Sequence, residues 1–212
     1  MTLSRIAAAL ALAGAAFAAQ ADGLASLDRF LQSTRSGRAD FTQTVTSPPR
    51  DGQAARTRNS SGTFEFQRPG RFRFVYTRPF AQTIVADGRS LWLYDADLNQ
   101  VTERPQSQAL GATPAALLAA TPDLKSLQAD FTLEAAPDAD GLQWVLATPK
   151  ARDGQLQSVK VGFRGDTLAA LDMRDNFGQR SLIRFENVQA NLALPPATFT
   201  FKPPAGADVV KQ

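Results

Sequence analysis

The chain has 212 residues, 23 basic and 20 acidic side chains, 13 prolines, 14 phenylalanines, no cysteine and no histidine. Without histidine it lacks the commonest general base and the commonest transition-metal ligand. With cysteine missing too, zinc and copper sites are not expected, and no metal or cofactor is expected. Nothing can be cross-linked, so the fold must be held by burial, and a lipid anchor on an N-terminal cysteine is excluded.

The first residues, MTLSRIAAALALAGAAFAAQA, carry one charge, Arg5, ahead of an uncharged run from Ile6 to Ala19. That run is too short for a membrane-spanning helix. It ends in Ala19-Gln20-Ala21, the small-x-small pattern of a signal-peptide cleavage site. A signal peptide over 1–21 is therefore expected, with an exported mature chain of one domain, 22–212, starting at Asp22. Loss of Arg5 turns 23 basic against 20 acidic residues into 22 against 20, too balanced to imply a nucleic-acid partner.

Asp22 can cap a helix whose Leu24, Leu27, Phe30 and Leu31 share one face. From Ala39 the period changes to two: ADFTQTVT, SGTFEFQ, GRFRFVYT, AQTIVA, SLWLYD and LNQVTE read as an antiparallel meander, with Asp87-Gly88 as a hairpin signal. SPPRDGQAARTRNSS, 47–61, reads as a linker. In the following stretch Pro114 and Pro122 each follow a threonine, Thr113 and Thr121, that can cap a short helix. Alternation then resumes in ADFTLEA, LQWVLAT, QLQSVKVGF, TLAALDM, RSLIRFENV and ATFTF. The expectation is a mainly β chain of about eleven strands with a few helices.

In GRFRFVYT, Phe72, Phe74 and Tyr76 share one face, and Arg71, Arg73 and Val75 the other. So much aromatic surface on one long sheet, with three short helices to cover it, tends to leave a cavity. A strand of interleaved arginines and aromatics also resembles a single-strand nucleic-acid platform, a ligand an exported protein rarely meets. Chemistry is harder to assemble. Gly88-Arg89-Ser90-Leu91-Trp92 lacks the second glycine of a nucleophile elbow, and no histidine exists to activate its serine. Asp95 with Asp97, and Asp172 with Asp175, sit at turn positions where aspartate is common for local reasons. Asp22 to Asp28 lacks calcium-loop spacing. The chain is not expected to be an enzyme.

The block FQRPGRFRFVYTRPFAQTIVADGRSLWLYDADLNQVT, 66–102, resembles the signature stretch of the LolA family of periplasmic lipoprotein carriers. The resemblance extends to the opening helix, the ADFTQTV strand, the proline-marked insertion, ATPK at 147–150 and FTFKPPAG at 199–206. It implies an incomplete antiparallel β-barrel with a helical lid over an apolar cavity. It also implies a chaperone that accepts acylated lipoproteins from an inner-membrane ATP-binding-cassette (ABC) complex and delivers them to a receptor lipoprotein of the outer membrane. The family's arginine of the RP motif maps onto Arg68, implying a lid latch. This sequence departs from the family pattern in Arg71 and Arg73 and in the basic loop with Arg50, Arg56 and Arg58. Candidate cavity residues are Phe64, Phe66, Phe72, Phe74, Tyr76, Ile84, Trp92, Tyr94, Trp144 and Phe163 on strands, and Leu117 and Leu118 on the insertion; strand parity alone leaves open which of them face inward. The carrier is expected to be a monomer. Alternatives are a carrier of free lipid or glycolipid, or a small outer-membrane β-barrel, against which stand the helical segments and the polar end VVKQ.

Overall fold

The computed structural model describes residues 23–49, 54–109, 119, 121, 123–152 and 154–212. The signal segment, the Asp22 cap, the Pro114 turn, Arg50, Leu117 and Leu118 lie outside the described residues.

Helix α1 (Gly23–Ser33) buries Leu27, Phe30 and Leu31 along one side, the face that helical spacing assigned. Six strands follow as consecutive antiparallel neighbours: β1 (Ser36–Ser47), β2 (Arg56–Gln67), β3 (Arg71–Arg78), β4 (Gln82–Asp87), β5 (Ser90–Asp95) and β6 (Gln100–Pro105). An insertion carries the short helices α2 (Gln106–Ala109) and α3 (Leu124–Asp130). A second meander comprises β7 (Phe131–Ala139), β8 (Leu142–Pro149), β9 (Leu156–Arg164), β10 (Thr167–Asp175) and β11 (Arg180–Ala190), and the chain closes with β12 (Asp208–Lys211).

The twelve strands make one sheet in the order β12-β6-β5-β4-β3-β2-β1-β11-β10-β9-β8-β7. The two meanders are joined where β1 pairs with β11, from Gly37 opposite Ala190 to Thr46 opposite Arg180. A sheet of this width must curl, but it does not close: β7 and β12 remain its edges. The insertion leads from β6, beside one edge, to β7, the other edge, and contributes Ala119 and Leu127 to the same core as α1. It therefore lies over the same face of the sheet as α1, here called the inner face.

Three local expectations are corrected and one strand is added. ATFTF is not a strand: Pro196–Phe199 forms a 3-10 turn that buries Phe199 and packs on β3 and β4. The polar end of the chain is a strand, β12, parallel to β6 with Val209 opposite Val101. The stretch read as a linker is partly strand, because β2 begins at Arg56, opposite Ser47; its side chains are polar because both faces of this extension meet solvent. The insertion's last helix is capped not by Thr121 but by Asp123, whose side chain accepts from the Ser126 N–H, so this helix runs to Asp130 and the next strand starts at Phe131 instead of Ala129.

Candidate functional site

The inner face is lined with aromatic rings because β2 and β3 place phenylalanines in register. Phe64 lies opposite Phe74 and Phe66 opposite Phe72. The Phe64 and Phe74 rings stack with centroids 4.5 Å apart. Phe41 of β1 meets Phe74 edge-on at 5.2 Å and Tyr76 at 5.0 Å, and Phe185 of β11 reaches Phe64 at 5.4 Å. From α1, Phe30 contacts Phe163 at 5.7 Å and Phe66 at 6.2 Å. These offset and edge-on contacts are the geometries that aromatic quadrupoles favour.

Toward the turns that follow β1, β3 and β5 the packing opens. A trough of about 710 Å³ is walled by Phe74, Tyr76, Ile84, Leu156, Met173 and Ile183, with Gln43, Ser60 and Gln82 among its polar lining. The volume falls within the range of ligand sites. Beneath α1 a crevice of about 70 Å³ is lined by Phe30, Phe64, Phe66 and Phe185. Phe74 lines the trough and Phe64 the crevice, so their stacked rings stand between the two spaces. Burial raises the Tyr76 hydroxyl to about 12, with Arg58 pulling the other way.

At the opposite end of β2, Arg68 is 9 % exposed. Its Nη1 donates to the carbonyl oxygens of Leu31 and Thr34 at 2.9 Å each and of Phe30 at 3.4 Å, and its guanidinium lies 4.7 Å from the Phe30 ring centroid. A cation is placed on the last carbonyls and the negative dipole end of α1. Burial, and then Arg35, lower its pKa to about 10, so it remains charged at neutral pH. The next turn residues extend the attachment to the insertion: Gly70 N–H donates to the Ala119 carbonyl at 2.8 Å. Gln106 Nε2 donates to the Gly70 carbonyl at 2.6 Å, while its Oε1 accepts from Gly88 N–H at 2.9 Å. One short turn thus holds both elements that cover the inner face.

The candidate cavity residues divide by face. Phe64, Phe66, Phe72, Phe74 and Phe163 are buried in the inner core, with Tyr76 and Ile84 packed against it. Trp92 and Tyr94 point the other way. Their neighbour Leu91 belongs to the inner core, whereas Phe201 of the C-terminal segment stacks on Trp92 at 5.6 Å and meets Tyr94 at 6.1 Å. Trp144 packs in a separate cluster with Leu142, Ala169 and Ala170, while its neighbour Val145 faces the inner core. Its ring lies across Gly162, where a Cβ would come within 2.9 Å of it, so only glycine admits this arrangement. Phe30, Phe41, Phe185 and Met173 were not singled out for the site; Phe30 shows the signal, an aromatic on the apolar stripe of the covering helix.

The paired aspartates of the turns have structural partners. Asp95 Oδ1 accepts from the Asp97 and Leu98 N–H groups, Asp175 Oδ1 from Phe177 and Gln179, and Asp172 pairs with Arg180 at 2.8 Å.

The family model for the outer membrane lipoprotein carrier protein LolA matches residues 32–202. The chain belongs to the LolA family. It is 61% identical over 209 residues to the outer-membrane lipoprotein carrier protein of Albidiferax ferrireducens, covering 97% of this chain and 98% of that one. To the protein of the same name from Methylibium petroleiphilum it is 56% identical over 202 residues, covering 95% and 96%. Among solved structures, an uncharacterized conserved protein from Thermus thermophilus superposes with a TM-score of 0.52 at 12% identity, covering 90% of this chain and 97% of that one, a likeness of fold alone.

Proposed function

We propose that the mature chain, starting at Asp22, is a periplasmic chaperone that carries lipoproteins by their acyl chains. The observation that carries this reading is the trough of about 710 Å³ on the inner face, walled in part by Phe74 and Tyr76, with α1 held over the same face at the other end of β2 by Arg68. LolA-family membership and relatives named as outer-membrane lipoprotein carriers support it. Each buried methylene contributes roughly 0.8 kcal/mol, so an acylated protein cannot enter water unaided, and a shielding cavity removes that obstacle.

Release must be as feasible as capture. In the closed form the rings of Phe30, Phe64, Phe66 and Phe74 already pack on one another, so cargo has to displace contacts that the empty carrier makes with itself. Unlatching α1 from Arg68 and parting the Phe64–Phe74 stack would join the crevice to the trough and lengthen the site. The closed state, stabilised by Arg68, then competes with cargo and sets an intermediate affinity. The donor is an inner-membrane ABC complex and the acceptor an outer-membrane receptor lipoprotein, with the carrier working as a monomer.

The test is release from spheroplasts. Added mature chain should bring an acylated lipoprotein into solution as a stoichiometric complex, and leave the same protein without its acyl chains unbound. Equal binding of acylated and unacylated forms would refute the proposal.

A further inference from the structure

The trough is not lined uniformly. On the way from the core toward the mouth, the inner rows of four strands change from apolar to polar: β11 passes from Ile183 to Ser181, β1 from Phe41 to Gln43, β2 from Phe64 through Gly62 to Ser60, and β4 from Ile84 to Gln82. The four polar residues follow one another across the sheet. Gln43 Nε2 donates to Ser181 Oγ at 2.7 Å, Gln43 lies opposite Ser60, and Gln82 lies opposite Tyr76, whose other neighbour in register is Gly62.

This belt is more than the place where the trough meets water. All four side chains are half-buried, and on β1 the apolar lining resumes beyond Gln43 at Val45. None of the four carries a charge. The charged lining residues Asp95, Asp97, Arg174 and Asp175 belong to turns or to the last residues of strands, and Arg58, two residues beyond Ser60, is exposed. What the belt offers is neutral donors. Gln43 Nε2 has two hydrogens and uses one on Ser181, while Ser181 accepts in that bond and keeps its own hydrogen to donate. Ser60 and Gln82 add a hydroxyl and a carboxamide.

An acyl chain ends in a carbonyl where it joins its carrier, through an ester or an amide. An ester carbonyl only accepts, and leaving it unpaired in an apolar trough is unfavourable. A free fatty acid would bring an ionised carboxylate instead, which needs a cation once it leaves water. We propose that the belt is the subsite for the linkage carbonyls: Gln43, Ser60, Gln82 and Ser181 donate to the ester or amide oxygens by which acyl chains are joined to the cargo. The hydrocarbon then runs inward past Ile84 and Ile183, and the cargo's polypeptide stays at the mouth. The subsite rests on the carrier reading and adds a chemical requirement to it: the chain must be esterified or amidated, not merely long and apolar.

Two soluble lipopeptides of one peptide and one chain length test this, one with ester-linked acyl chains and one with ether-linked alkyl chains, which lack the carbonyls. The mature chain should bind the ester form about fivefold more tightly for each carbonyl held. In the combined variant Gln43→Leu, Ser181→Ala the preference should vanish. Both members of the bonded pair are removed, so neither is left without its partner and the thermal melt should stay close to that of the unaltered chain. Ser60→Ala and Gln82→Leu, each made singly, should lower the ratio part of the way. Equal affinity of the unaltered chain for the two forms, or a preference that survives the combined variant, would overturn the belt and leave the carrier reading in place. Binding of neither form would overturn both. Dioctanoylglycerol, which offers the same carbonyls without a peptide, separates the sources. Its competition with the ester lipopeptide would assign the belt to glyceryl esters in general, and its failure to compete would assign it to protein-linked chains; the carbonyl contact stands in either case.

Discussion

Nη1 of Arg68 donates a 2.9 Å hydrogen bond to the carbonyl oxygen of Leu31, so the turn between β2 and β3 holds the last turn of α1. Thr34 and Phe30 supply the other acceptors, and burial strengthens a charge-assisted contact that water would dilute. Arg68→Leu should cost about 2 kcal/mol of stability and speed hydrogen exchange at the end of α1. Because the latch stabilises the closed carrier, its loss should favour the loaded one, retaining cargo about tenfold to thirtyfold more tightly. Cargo-loaded carrier would accumulate, and Arg68→Lys, with no planar fork, would recover only part. Unchanged transfer to the receptor would count against the latch.

Phe64 stands where the trough meets the crevice under α1. Phe64→Ala should lower stability by about 3–5 kcal/mol, measured by denaturant unfolding. Added acylated lipopeptide should restore part of the loss, since a ligand that binds only the folded chain stabilises it. No ligand-dependent shift in the midpoint would show that the variant does not bind the lipopeptide.

The chain has two tryptophans, Trp92 and Trp144, and both face away from the inner core. Intrinsic fluorescence should therefore change little when acyl ligands bind. Trp144→Phe should affect melting more than affinity, while Ile84→Ala should weaken acyl binding. A large blue shift of tryptophan emission on ligand binding would show that the outer face is the site.

Tyr76 has a second readout. Its hydroxyl is raised from 10.0 to about 12, so the folded chain keeps this proton after the unfolded chain loses it. Its contribution to stability is full below pH 10 and is lost between about 10 and 12. Arg68, lowered by burial to about 10, acts oppositely above that pH, because there the unfolded chain binds the extra proton. A melt would mix the two, so phenolate absorbance is the cleaner measurement. With Tyr94→Phe leaving one of the two tyrosines, rapid-mixing titration should find a midpoint near 12, and a midpoint near 10 would contradict the burial.

Strand alternation made most of the fold legible, because a sheet with distinct faces must write its period into the sequence. Parity says that Trp92 and Leu91 face opposite ways, but not which way is inward. That depends on what covers each side. Phe201 covers Trp92 and Tyr94 from beyond the last long strand, a non-local contact that no pattern within β5 records. At Trp144 and Val145 alternation itself fails, because both faces of β8 are covered and both residues are buried. Arg68 became visible only through family resemblance, since an arginine beside Pro69-Gly70 is locally an ordinary strand end. The strand content of Arg56–Ser60 was hidden because polar hairpin extensions resemble loops.

Native mass spectrometry of the protein recovered from the periplasm shows whether the trough carries lipoprotein acyl chains through that compartment. The expected species has the mass of the mature chain from Asp22 plus one acylated protein, and Arg68→Leu enriches it. A chain carrying only free lipid or glycolipid, or one found empty while lipoprotein release is active, would contradict it.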